Sequence, residues 1–245
     1  MASPHLHHAA LDEIGQEIVD GTRPVGSVLT LADLEQRFMV SRTVAREIMR
    51  ILESLGMVRS RRRVGITIRP RFAWNVLDPL VVRWRLRGAE HDRVLLDVTE
   101  LRAALQPMAA ELAARNASTE QRQRLIELAD DIVRAGRQPD GAAVLADAEM
   151  EFHALLLRAT ANELFAGFSG MVRLVERMDG PAAPEPGLVW AERYRRIAGA
   201  VASGDAETAR IASRAQVAQG LAAMTAHVGP RPSLAEQPSS EDWSV

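Results

Sequence analysis

VSRTVAREIMRILESLGMV, residues 40–58, is the stretch whose reading decides the fold. Ser41 is a good helix N-cap, because its side-chain oxygen can accept from an N–H of the first turn. Gly56 is a typical residue just past a helix end, where the backbone turns left-handed. Between them, at 100° per residue, Val44, Ile48, Ile51 and Leu55 cluster on one side of a helix. Arg42, Arg46 and Arg50 fall on the opposite side, spaced by four. Such a helix buries one stripe and turns a row of guanidiniums outward. A plainer alternative is an amphipathic surface helix whose arginines are incidental, and the flanking sequence weighs against it.

On the N-terminal side, Ala9 to Asp20 carries Leu11, Ile14, Ile18 and Val19 at helical spacing, and Gly21, Pro24 and Gly26 end it. A second short helix fits Leu31 to Arg37, with Leu34 and Phe38 inward. On the C-terminal side, Met57–Arg59 and Val64–Ile68 fit a small hairpin with Arg61, Arg62 and Arg63 at its tip. Three helices and a hairpin predict a winged helix-turn-helix over residues 9–70, whose second motif helix enters a DNA major groove. Arg42 and Thr43 stand in the first turn, where side chains and N–H groups can meet phosphates and base edges. Arginine can pair with guanine O6 and N7, and the arginine tip would lay charge on the backbone or the minor groove.

Charge agrees with this reading. The 245 residues have a formal net charge of −2, no lysine and 30 arginines, yet residues 37–69 hold nine Arg against only Glu47 and Glu53. A basic island in a near-neutral chain suggests a local polyanion contact; a solvated charged face is the bland alternative. There is no cysteine, which excludes a disulfide scaffold, a thiolate zinc site and a cysteine nucleophile. The longest charge-free run near the end, residues 215–230, contains Gln216, Gln219 and His227 and is too short and polar to span a bilayer. The first ten residues hold three histidines and no apolar run, so no signal peptide is read and the cytoplasm is the expected compartment.

Residues 71–90, with Trp74, Pro79 and Trp84, read as a linker. Beyond it, helical patterns cover about 91–115, 119–135, 141–160, 162–178, 188–202 and 205–227, with no strand. The expected fold is therefore mainly α: a winged helix-turn-helix followed by an all-α helical bundle over 91–228. Residues 229–245, rich in Pro, Ser and Glu, read as a disordered tail. Asp147, Glu149 and Glu151 do not converge, because alternate helical residues point about 200° apart. No nucleophile triad, GxGxxG or GxxxxGK[ST] is found, so no enzyme is expected.

"VSRTVAREIMRILESLGMV" resembles the recognition-helix region of the GntR family of bacterial transcription factors. The resemblance covers about residues 9–69 and implies operator contacts by Arg42, Thr43 and Arg46, with Arg50 and the wing residues Arg61, Arg62, Arg63 and Gly65 beside them. The family's glycine-rich wing tip is reduced here to Gly65, and its usual Pro and Glu before the second helix are missing around Thr30-Leu31-Ala32. The rest of the chain is similar to the FadR-type ligand domain (the FCD domain), through "ELRAALQPMAAELAA" at 100–114, "EMEFHALLLRATANELF" at 149–165 and "AERYRRIAGAVASGDAETAR" at 191–210. "FAWNVLDPLVVRW" at 72–84 is similar to the linker of the branch that regulates sugar-acid catabolism.

This second resemblance implies a pocket for a small carboxylate, often held with a divalent metal on an Asp, a His four residues later and two further His. The matching positions are Glu149, His153, Tyr194 and Gln216. Glu149 and His153 share a helix face, but both other imidazoles are gone, and the remaining histidines stand at 5, 7, 8, 91 and 227. That donor set makes a poor zinc site, and the alternative is direct hydrogen bonding from Tyr194 and Gln216 to the ligand. The resemblance puts Arg102 at a pocket-facing position, where a guanidinium can grip a carboxylate with two parallel bonds; the bland alternative is a surface ion pair.

The function implied is a homodimeric repressor of a catabolic operon, bound to a pseudo-palindromic operator and released by a small carboxylate such as a sugar acid. An effector-independent structural DNA-binding protein and an all-α enzyme are the rivals.

Overall fold

The computed structural model describes residues 4–61, 65–138, 140–179 and 188–229. The first third of the chain forms α1 (Pro4–Val19), β1 (Val28–Leu29), α2 (Leu31–Phe38), α3 (Arg42–Ser54), β2 (Val58–Arg61) and β3 (Gly65–Ile68). Caps set these boundaries. Thr30 and Asp33 form a reciprocal capping box at the start of α2. Met39 takes a left-handed conformation at φ 49° between α2 and α3, and Ser41 Oγ accepts from the Val44 N–H to open α3. Gly56 ends that helix at φ +72°, and a Cβ there would meet the Ala73 carbonyl oxygen at 2.3 Å. The position thus requires glycine for conformation and for space.

The three helices and the sheet, ordered β1-β3-β2 and antiparallel throughout, enclose one core of Ile14, Ile18, Leu34, Ile48, Leu52, Met57 and Ile68. The phase of α3 differs from the expectation. Its buried residues are Ala45, Ile48, Met49 and Leu52, while Val44 and Ile51 pack only partly against the core. Ile48 and Leu55 are buried as expected, Val44 and Ile51 lie at the edge of the stripe, and Ala45, Met49 and Leu52 complete it. Strand β1 was not foreseen; two residues are too few to show alternation. Helix α1 also starts at Pro4, earlier than expected.

The segment read as a linker contains a single 3₁₀ turn, Arg71–Ala73, and then a helix, α4 (Pro79–Arg87). Asp78 caps it through the Leu80 N–H, with proline in the first turn. Trp84 is fully buried against the first core. A Cβ on Gly15 of α1 would come within 2.5 Å of the Trp84 ring, so the indole lies flat on bare backbone. The indole N–H donates to Asp12 Oδ1 at 2.9 Å, and Arg83 and Arg87 pair with the same carboxylate. Burial alone would raise the Asp12 pKa, but the Trp84 N–H and the two guanidiniums outweigh it and the net shift is downward. On its other side α4 gives Val82 and Leu86 to a cluster with Val94, Leu95, Val98, Met171 and Val175.

Those partners belong to the second body: α5 (His91–Asn116), α6 (Thr119–Ala135), α7 (Ala142–Arg158), α8 (Glu163–Asp179), α9 (Leu188–Ser203) and α10 (Ala206–Val228). Leu125, Ile132, Phe152, Tyr194, Ile197 and Val201 lie in its main core. Arg122 Nη2 donates to the Ala114 carbonyl of α5, and its Nη1 to the Val201 and Ala202 carbonyls of α9. One cation thereby satisfies carbonyls at two helix C-termini and their negative dipole ends. Pro107 lies inside α5, so the Ala103 carbonyl lacks its usual helical N–H partner. The stretch 230–245, expected to be a disordered tail, lies outside the described residues.

Gly15→Ala should lower the melting temperature despite alanine's better helix propensity, because about 1 kcal/mol of propensity is opposed by about 1–3 kcal/mol of overpacking against a rigid indole. Gly199→Ala, in a helix with nothing within 4 Å of the new Cβ, should raise it. Because the Asp12 pKa is lowered on folding, its stabilising contribution is present above about pH 4 and is lost as pH falls through the native value. Acid melts of Asp12→Asn, compared with wild type, should show a shallower loss of stability below that pH.

Candidate functional site

Helix α3 carries two faces fixed by one periodicity. Its buried stripe anchors it, and Arg42, Thr43, Arg46 and Arg50 are all exposed on the other side. The Arg42 guanidinium is 3.9 Å from Glu35, with its side chain 67% exposed. Arg50 is 3.4 Å from Glu47, with its side chain 75% exposed. Surface pairs of this kind contribute about 0–1 kcal/mol, too little to hold the guanidiniums from a polyanion.

The hairpin β2–β3 stands beside this row. Glu53, near the end of α3, accepts the Ser60 N–H of β2 at 3.1 Å and ties the edge strand to the helix. Arg46, Met49, Arg50, Glu53, Ser60 and Ile66 line a shallow groove of about 230 Å³ between them. Gly65 sits at φ +111°, where a Cβ would meet Val28 Cγ1 at 2.7 Å, so this residue permits the return strand to leave the tip. Of the tip arginines, Arg62 and Arg63 lie outside the described residues, as does the side chain of Arg61. Glu53 was not singled out from the sequence; an acid in a basic island was the available signal.

A second constellation lies inside the helical body. Glu149, His153, Tyr194 and Gln216 are all buried. Tyr194 Oη donates to Glu149 Oε1 at 2.6 Å. His153 Nε2 is 3.1 Å from the same phenol oxygen, and His153 Nδ1 is 3.0 Å from Gln106 Nε2. One arrangement of protons satisfies all three contacts with the Gln106 amide nitrogen facing the ring. The phenol proton goes to the carboxylate, so the phenol oxygen accepts the His153 Nε2–H, and Nδ1 accepts from the Gln106 amide. The imidazole is therefore neutral with both nitrogens engaged. Burial pushes His153 well below the ordinary histidine pKa, and the positive charge of Arg102 pushes it the same way. Phe152 and Trp190 pack edge-to-face on the Tyr194 ring, each with centroids 5.1 Å away.

Arg102 is half-buried on α5, one turn before Gln106. Gln216 comes from α10. The Asp92–His227 contact and the Glu111–Arg210 ion pair make α5 and α10 antiparallel neighbours, which sets Gln216 level with residues 103–105, between the turns of Arg102 and Gln106. Its Oε1 is buried and has no hydrogen-bond partner among the described residues. The structure thus brings Glu149, His153 and Tyr194 into direct contact and Gln216 to the same level of the bundle. Gln106 was missed because a single glutamine inside a long helix carries no pattern.

The donor set does not fit a bound transition metal. One neutral imidazole with no spare lone pair, one carboxylate, a protonated phenol and an amide are poor ligands. Among the described residues no group of three or more His, Asp and Glu side chains could hold an ion. No helix among those residues is long and apolar enough to cross a membrane.

Residues 97–219 match the FCD domain family, and residues 6–68 match the family described as bacterial regulatory proteins, gntR family. The chain is 25% identical over 209 residues to the HTH-type transcriptional regulator YieP of Escherichia coli, spanning 85% of this chain and 90% of that one. It is 25% identical over 165 residues to the galactonate operon transcriptional repressor of Escherichia coli, spanning 67% and 71% of the two chains. The solved structure of Streptococcus agalactiae GntR shares the fold, with a TM-score of 0.51 at 21% identity over 89% of this chain and 99% of that one.

Tyr194→Phe removes the hydroxyl on which two buried groups depend. It should destabilise the protein by about 1–3 kcal/mol, because Glu149 Oε1 loses its donor and the His153 Nε2–H its acceptor. Chemical denaturation checks this; an unchanged midpoint would show that neither group needs the phenol.

Proposed function

The chain belongs to the gntR family of bacterial regulatory proteins, with an FCD domain behind its helix-turn-helix, and we propose that it is an operon repressor released by a small carboxylate. It is a regulatory protein and not an enzyme, and regulators of this family bind DNA operators. The observation that carries the proposal is the exposed row of Arg42, Arg46 and Arg50 on a helix anchored by its opposite face. Arg42 and Thr43 open the helix and meet base edges; Arg46 and Arg50 extend the contact, and Glu53 holds the wing against the same groove. In this reading residues 9–70 are the DNA-binding head, 71–90 the connection, and 91–228 the effector-binding and dimerisation domain. Two copies form a homodimer on a pseudo-palindromic operator in the cytoplasm.

The effector side rests on charge. Arg102 brings a cation to the level of the bundle where His153 is neutral and Gln216 offers a buried acceptor. An anion is the complementary ligand, and a guanidinium grips a carboxylate with two bonds. The galactonate repressor among the relatives supports a sugar acid as the first candidate. Release requires that the effector bind one placement of the heads better than the other. Helix α4 supplies the route: Trp84 is set in the head, and Val82 and Leu86 are set against α5 and α8.

The test is an anisotropy titration on operator DNA selected from a random duplex pool, with a panel of aldonates and other carboxylates. Arg46→Ala should weaken specific binding by about 1–3 kcal/mol. Arg102→Ala should leave DNA affinity intact and blunt the effector response. Sequence-independent binding with a steep salt dependence and no ligand effect would identify a structural DNA-binding protein instead.

A further inference from the structure

We infer that the sensor core of this chain is organised without a metal ion: the relay Gln106–His153–Tyr194–Glu149 orients the side chains through protons, and Arg102 and Gln216 meet an anionic ligand directly. The metal-free half stands on its own; the ligand half rests on the effector reading proposed above.

Three observations carry it. First, a metal-binding imidazole needs a free nitrogen lone pair. Here the Nδ1 lone pair accepts from the Gln106 amide, and Nε2 carries the proton given to Tyr194. Ligation at Nε2 would require a change of tautomer, a reversal of the Gln106 amide and departure of the phenol. Second, Tyr194 spends its proton on Glu149 across 2.6 Å, a short contact of the kind made between a hydroxyl and a carboxylate. The one carboxylate of the set is thereby engaged by a donor. Third, the positive charge of Arg102 acts with burial to hold His153 below the ordinary histidine pKa, and the same sign of charge disfavours a divalent cation and favours an anion beside that ring.

The ligand side follows from what the relay leaves over. Gln216 Oε1 is buried without a partner among the described residues, and Pro107 leaves the Ala103 carbonyl on the adjacent turn of α5 without its helical N–H. Acceptors call for donors. The ligand class is therefore an anion that also carries a hydroxyl or N–H group: carboxylate to Arg102, donor to Gln216.

The experiment uses the full-length, untagged protein, stripped with a chelator and examined near neutral pH by ¹⁵N NMR of its imidazoles. His153 is assigned by the loss of its signals in His153→Gln, or by their displacement in Tyr194→Phe if the first variant does not fold. The expected result is a neutral Nε2–H tautomer whose two nitrogen shifts do not move on adding zinc or nickel chloride. Metal retained equally by wild type and His153→Gln lies elsewhere on the chain and leaves the inference standing. An Nδ1–H tautomer overturns it, as does a stoichiometric zinc that shifts the His153 nitrogens and is lost in the variant. A second arm compares matched carboxylates with and without hydroxyl groups by calorimetry on the stripped protein. Binding of the hydroxylated acid that weakens at least tenfold in Gln216→Leu supports direct recognition; equal binding of both acids overturns the ligand half. No response to any carboxylate removes the effector reading and the ligand half together, while the metal-free relay is judged by the NMR arm alone.

Discussion

The Asp12 carboxylate seats the helix that joins the two halves of the chain. It gathers the Trp84 indole N–H and the Arg83 and Arg87 guanidiniums onto one point of α1. That contact seats α4 in the head, and the opposite face of α4 belongs to the apolar cluster under α5 and α8. A second set of charges works alongside. Arg85, buried, pairs with both Glu90 and Asp97, and Glu90 also receives Arg71 from the 3₁₀ turn. Arg85 is the buried member, with its side chain 10% exposed against 37% for Glu90 and Asp97, so loss of both acids would leave one buried charge uncompensated.

The two functional regions use opposite electrostatic arrangements. On α3 the guanidiniums stand in water with weak acidic partners, so each can change partner at little cost. In the bundle the polar groups are dry and nearly all satisfied, so each is costly to disturb. Under the proposed function, the first arrangement would suit contact with a phosphate surface, and the second an interior that a ligand must match closely.

Much of this was legible in the chain. The arginine row at 42, 46 and 50, the caps at Ser41 and Gly56 and the helix breaks at 116–118 and 204–205 follow from periodicity and local hydrogen bonding, and the structure has them. The expected stripe on α3 is right at Ile48 and Leu55 but sits too far to one side: Val44 and Ile51 are only partly covered, while Ala45 and Met49, which carry less weight as apolar signals, are buried. Helix α4 was passed over although Asp78-Pro79 is a good start signal, because arginines at 83, 85 and 87 broke the apolar pattern. Their partners, Asp12, Glu90 and Asp97, sit on other elements. Gln106 was invisible for the same reason: its partner His153 is distant in the chain, and only folding brings the amide to the imidazole.

Pro107 divides α5 into two mechanical halves. The C-terminal half is pinned by Arg122, which clasps the end of α5 to the end of α9. The N-terminal half carries Asp97, the Arg85 partner, and Val94, Leu95 and Val98, which touch α4. A helix missing one internal hydrogen bond bends most easily at that turn. Arg102 lies on the N-terminal side of the break, so under the proposed effector reading a ligand drawn to its guanidinium would act on the half of α5 that packs against α4 and not on the half clasped to α9.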